Sequence, residues 1–157
     1  MPTLQSIDFD FFSKSLPEAV AALRTLSRIS AQDLDQTLVE LVKVRASQIN
    51  DCAYCLRLHL NQARKAGVPQ VALDSLAIWR EAPGFTEREQ AALAWTEALT
   101  DPGRRAEIGS ARQALEAVFT PEQLLRLTVA IATINAWNRI AGTLRFTPPR
   151  AELGRER

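Results

Sequence analysis

The chain has 157 residues, 46% of them apolar and 24% charged, with a formal net charge of +1. That length suffices for one domain with a substantial core, and near-neutrality excludes a general electrostatic pull toward nucleic acid or anionic membranes. The opening "MPTLQSIDFDFF" has no basic or apolar leader region, and no stretch reaches the roughly twenty apolar residues of a membrane helix, so a cytoplasmic, reducing location is expected.

The apolar spacing is helical nearly throughout, and β-branched alternation is almost absent. Leu16–Pro17 opens a helix to about Ile29, with Val20, Leu23, Leu26 and Ile29 on one side. A second begins near Asp33 and carries Leu34, Leu38, Leu41, Val42 and Ile49. Asn50 and Asp51 offer a cap for a third, which starts at Cys52 and stops at Gly67, a residue suited to a left-handed helix end. Pro69 starts a short helix containing Val71, Leu73, Leu76 and Trp79, and "EAPGF" is a loop. Thr86 to Glu89 match a capping box that leads a helix to about Leu99. "TDPGRR" breaks the chain before a helix from about Glu107 to Phe119. Thr120, Pro121 and Gln123 then cap a long helix reaching about Leu144.

The expectation is therefore an all-α bundle of six or seven helices in one domain over residues 1–157, with its core at about 17–144 and a frayed tail at 148–157. The last long helix, "LLRLTVAIATINAWNRIAG", is apolar on most of its circumference. A helix of that kind is buried on all sides. Either it lies at the centre of the bundle, or a second subunit covers it in a homo-oligomer.

The chemistry concentrates in "NDCAYCLRLH", residues 50–59, which holds both cysteines and the single histidine of the chain. On a helix, Cys52, Cys55 and His59 fall within a sector of about 60°. Three uses are open to such a cluster. Zinc would gain two sulfurs and a nitrogen, but structural zinc draws on two separated ligand pairs, and there is no second pair. Inert burial of all three on one face is a further use. The residues favour the third, a redox-active dithiol with an assisting imidazole. Cys-x-x-Cys at a helix start places thiols where unsatisfied backbone N–H groups and the helix dipole stabilise a thiolate.

The stretch from Glu40 to Val68 resembles the signature of the AhpD-like alkylhydroperoxidases, in the carboxymuconolactone decarboxylase superfamily. Glu40, Cys52, Cys55 and His59 reproduce its Glu, Cys-x-x-Cys and His spacing, and "REQAALAWTEALT" and "LTVAIATINAWNRIAG" are similar to peroxidase-related members. The resemblance implies an all-helical antioxidant enzyme with neither metal nor organic cofactor, commonly assembled as trimers or hexamers. It implies Cys55 as the peroxidatic thiol, ionised by its turn, and Cys52 as the resolving one. His59 would activate Cys55, and Glu40 would end the proton relay. The substrate would be a small organic hydroperoxide or hydrogen peroxide, with an external dithiol or protein as reductant.

Some members carry a histidine directly before the second cysteine, where this chain has Tyr54. A phenol with a pKa near 10 donates a hydrogen bond rather than relaying protons, so Tyr54 either positions the leaving group or packs beside the pair. The apolar neighbours of Glu40 suggest a partly buried carboxylate with a raised pKa. Trp137 is read as core or interface, and Arg139 as an ion-pair partner. Competing functions are a general thiol–disulfide oxidoreductase, a redox sensor and a carboxymuconolactone-type decarboxylase; the dithiol argues against the last.

Overall fold

The computed structural model describes residues 7–153, and every regular element among them is helical. The α-helices are α1 (Phe9–Ser15), α2 (Pro17–Ser30), α3 (Gln36–Ile49), α4 (Ala53–Ala66), α5 (Gln70–Ser75), α6 (Glu87–Thr100), α7 (Ile108–Val118) and α8 (Pro121–Thr143). Two 3₁₀ turns, Leu76–Ile78 and Pro102–Glu107, complete them. The all-α expectation holds, with α1 beyond the six or seven helices foreseen. Phe9, Phe11 and Phe12 crowd one short segment, so no helical apolar period was visible there. The helix forms because the Asp8 carboxylate accepts from the Phe11 N–H at 2.8 Å and so caps it. "TDPGRR" is likewise a 3₁₀ turn rather than a plain break.

Sequence signals at the helix ends act largely as read. Pro17 sits in the first turn of α2, and Thr86 and Thr120 form complete capping boxes with Glu89 and Gln123. Gly67 closes α4 at φ 93, the left-handed conformation in which a side chain would be strained. Helix α3 starts slightly later than read, because the Asp35 carboxylate, not Asp33, accepts from the Thr37 N–H at 2.8 Å.

The centre of the bundle is α3, which packs against α4, α6 and α8; α2 lies on α8, and α7 on α6. Leu38 through Val42 are consecutive buried residues, so α3 is enclosed around nearly its whole circumference. One core cluster joins Leu38 and Val42 to Trp95, Leu115, Leu127 and Ile131. A second joins Leu41 and Val44 to Leu73, Leu76, Trp79 and Leu93. Helix α8 buries Leu127, Ile131, Ile134 and Asn138 but leaves Leu125 at 64% and Val129 at 39% exposure. From Arg150 to Glu152 the C-terminal stretch is held against α4: Asn61 donates to the Arg150 carbonyl and accepts from the Glu152 N–H, both at 2.8 Å. No helix among the described residues is long and apolar enough to cross a membrane.

Candidate functional site

A third, smaller cluster forms where the end of α3, the start of α4 and the C-terminal half of α8 converge. It contains Ala46, Cys52, Cys55, Ile134, Ala141 and Phe146. Phe9 and Phe12 of α1 lie over it with Tyr54 and Trp137. The Tyr54 ring stacks with Phe9 at 6.0 Å and meets Phe146 edge-on at 5.5 Å. The thiols therefore sit beneath an aromatic cover supplied by the helix the sequence did not show.

The turn before α4 differs from the expected cap. Asn50 ends α3, and Asp51 takes a left-handed conformation at φ 52 that lets the chain reverse sharply. Aspartate is among the few residues that tolerate this region. The Asn50 side-chain amide instead donates to the Oδ1 atoms of Asn135 and Asn138, each at 2.9 Å. The residue that caps α4 is Cys52 itself, whose Sγ accepts the Cys55 N–H at 3.3 Å.

That arrangement decides which thiol the helix start favours. Both cysteines are reduced and buried, Cys52 at 0% and Cys55 at 3% exposure. The Cys52 sulfur has the Cys55 thiol beside it and accepts the Cys55 backbone N–H, and the Asn138 side chain adds to them. Together they bring the Cys52 thiol down to about 7 against the cost of burial. The Cys55 thiol, beside that sulfur and itself buried, is pushed up. The turn thus lowers Cys52 rather than Cys55, the reverse of the expected order.

Cys55 instead faces open space. With His59 it lines a cavity of about 260 Å³ walled by Phe9, Tyr54, Leu58, Ile134 and Trp137, and also by Arg24, Ser27 and Lys43. Cys52 is absent from that lining and lies behind its partner, where Gly142 brings the α8 backbone close. A Cβ built on Gly142 would lie 3.7 Å from the Cys52 Cβ.

Glu40 reaches this site from α3. Its Oε2 lies 2.8 Å from His59 Nδ1, and Lys43 Nζ approaches Oε1 at 3.4 Å. The carboxylate is buried as expected, at 6% exposure. Its pKa goes the other way: burial acts to raise it, but the hydrogen bond and charge of His59, with Lys43, outweigh burial and lower it. Glu40 therefore stays ionised near neutrality and accepts the Nδ1 proton, which leaves Nε2 as the histidine's exchangeable position. The contact fixes the orientation of the His59 ring.

Tyr54 lines the cavity, and burial followed by the charge of Cys55 raises its pKa, so its hydroxyl stays protonated. Trp137 belongs to the aromatic cover yet also walls the cavity. Arg139 donates to Asn135 and, among the described residues, meets no carboxylate, in contrast to the ion pair expected of it. Sequence reasoning passed over Phe9, Arg24, Ser27 and Lys43. Lys43 lies one helical turn beyond Glu40 and could have been suspected; the others come from distant segments with no local pattern. Asn138 donates to Ser47 Oγ at 3.0 Å behind the thiols.

The sequence model of the carboxymuconolactone decarboxylase family matches residues 15–98, which include Glu40, both cysteines and His59 but not α8. The uncharacterised protein YdfG of Bacillus subtilis is 32% identical over 127 residues, or 80% of this chain and 86% of that protein. Among solved structures, a protein of unknown function from Agrobacterium tumefaciens, a candidate AhpD-type antioxidant defence protein, is similar at 36% identity. Its TM-score is 0.83, with 88% of this chain and 96% of that one covered. The debrominase Bmp8 shares the fold at 17% identity and TM-score 0.78, covering 88% and 75%. A cysteine-to-alanine variant of Bmp8 bound to 2,3,4-tribromopyrrole gives 16% and 0.79, so this fold also houses other reactions. The chain belongs to the carboxymuconolactone decarboxylase family and is an AhpD-like member of it.

Proposed function

We propose that the protein is a thiol-dependent peroxidase that reduces small organic hydroperoxides or hydrogen peroxide. The observation that carries this reading is that Cys55 and His59 line one largely apolar cavity, while Cys52 lies next to Cys55 and its Sγ accepts the Cys55 backbone N–H at 3.3 Å. When Cys52 is ionised, transfer of the Cys55 proton to it makes Cys55 the thiolate facing the cavity. It attacks the terminal oxygen of the hydroperoxide, the O–O bond breaks, and Cys55 becomes a sulfenic acid. The departing alkoxide takes a proton from the His59 imidazole, whose ring Glu40 holds through Nδ1. The Cys52 thiol then displaces the sulfenic oxygen as water and closes the disulfide, and an external dithiol reopens it.

Burial of both sulfurs under Phe9, Tyr54 and Trp137 favours small peroxides over protein disulfides as oxidants. The test is hydroperoxide consumption in the presence of a dithiol. Cys55→Ser is expected to abolish it, and His59→Ala to lower it by about 10²–10⁴. Undiminished turnover in Cys55→Ser would overturn the reading. Disulfide formation that altered assembly without peroxide turnover would favour a redox sensor instead.

A further inference from the structure

The cavity over Cys55 is walled mainly by apolar side chains and is also lined by two cations, Arg24 and Lys43. Arg24, Ser27 and Lys43 line a second cavity as well, of about 490 Å³ and completed by Arg28, Gln36 and Glu40 among others. The chamber holding Cys55 thus adjoins a passage bordered by three cations and one carboxylate. That carboxylate is already engaged by His59 and Lys43. Arg24 and Arg28 form no ion pair among the described residues. The Arg24 guanidinium lies 5.7 Å from the centroid of the Phe9 ring, at the boundary between the aromatic wall and the passage.

This asymmetry selects for a molecule with two unlike ends. An apolar body gains by leaving water for the surface of Phe9, Tyr54 and Trp137. An anionic end gains from a guanidinium whose planar fork matches a carboxylate and which no internal acid neutralises. The two demands meet at Arg24, which lies over the Phe9 ring and borders both spaces, whereas Cys55 and His59 line only the chamber. We propose that the preferred substrate is an amphipathic organic hydroperoxide with a carboxylate at the end remote from its peroxide group, held by Arg24 with its apolar body on the aromatic wall. The proposal rests on the peroxidase reading and adds the substrate class.

Cumene hydroperoxide and its para-carboxylate derivative share one reacting group and one ring, and so isolate the charge. The expected result is a kcat/KM roughly tenfold higher for the carboxylate at low ionic strength, the size of one charge-assisted contact. The preference should shrink as salt is added, fall toward unity in Arg24→Gln and largely return in Arg24→Lys. Equal kcat/KM for the two substrates, or a ratio untouched by Arg24→Gln, would overturn the proposal. A binding measurement separates its failure from that of the peroxidase reading. Protection of the thiols from iodoacetamide by 4-isopropylbenzoate is compared with protection by 4-isopropylbenzamide. If neither hydroperoxide is consumed, the peroxidase reading fails; stronger protection by the benzoate then still supports an anion-selecting pocket, and equal protection removes it.

Discussion

Glu40 and Glu97 are both buried acids on packed helices, and both are held below the usual carboxylate range, yet their partners differ in kind. Glu97, at 1% exposure, accepts from Trp79 Nε1 at 2.9 Å and from Arg45 at 2.8 Å, and Arg80 also binds it. Burial works against its charged form, and Arg80, Trp79 and Arg45 overcome burial. A guanidinium does not give up its proton in a protein, so this cluster has a single state and serves as a fixed cross-link between α3 and α6. Glu40 has instead a histidine, whose charge can change, and the far side of that histidine opens onto a cavity. The same burial of an acid makes a strut in one place and a poised ring in the other. What separates them is whether the partner can exchange a proton and whether there is space beside it.

The sharpest way to break the comparison is Glu97→Ala. It leaves Arg45 and the Trp79 N–H without their buried acceptor, and the expected loss is about 3–5 kcal/mol of stability, read as a lowered midpoint in urea or heat. Residual activity per folded molecule should survive. Next comes Glu40→Gln, which keeps the shape but removes the charge opposite Nδ1. Turnover should fall by roughly tenfold, close to 1.4 kcal/mol, with a smaller loss of stability than in Glu97→Ala. A mutant with full turnover would place Glu40 with Glu97 as a strut.

Acid separates the wild type from both variants. Each carboxylate has a folded pKa below its unfolded one, so its stabilising contribution is complete above the ordinary carboxylate range and is lost as pH falls through the lowered value. Glu97→Gln and Glu40→Gln should each flatten that acid limb, and the gap to wild type should narrow as pH drops. Thiol titration gives a further handle. Ultraviolet thiolate absorbance should rise through about pH 7, where Cys52 ionises, and Cys52→Ser should abolish that step. The smallest expected change is in Gly142→Ala. The added methyl meets Cys52 at ordinary contact distance, so a gain of about 0.5–1 kcal/mol is expected from the lower entropy of the unfolded chain.

What could be read in advance was whatever lies within one or two turns of chain. Cys55 and His59 share a helix, and a four-residue spacing puts them on one face whatever surrounds them. The capping boxes at Thr86 and Thr120 are equally local. The pairing of Glu40 with His59 crosses from α3 to α4, and only the likeness to known relatives suggested it. Which thiol is lowered depends on Asp51 adopting a left-handed turn and on Asn138 arriving from α8, neither of which leaves a periodic trace. Phe9 and Arg24 are remote from the cysteines in sequence, and they reach the cavity through the way α1 and α2 lie in the bundle. Glu97 was equally hidden, because a lone acid in an alanine-rich helix looks like a solvated one.

The sulfur that finishes the first turn of α4 is also an atom the proposed reaction would consume. Once bonded to Cys55 it stops being an anionic acceptor for the backbone, and the oxidised protein loses a helix cap, a loss of about 1 kcal/mol. For a two-electron couple that corresponds to roughly 20 mV toward a more oxidising disulfide. Under the proposed reaction, helix folding and electron affinity would be tied together, with the dithiol form the better-capped member of the couple.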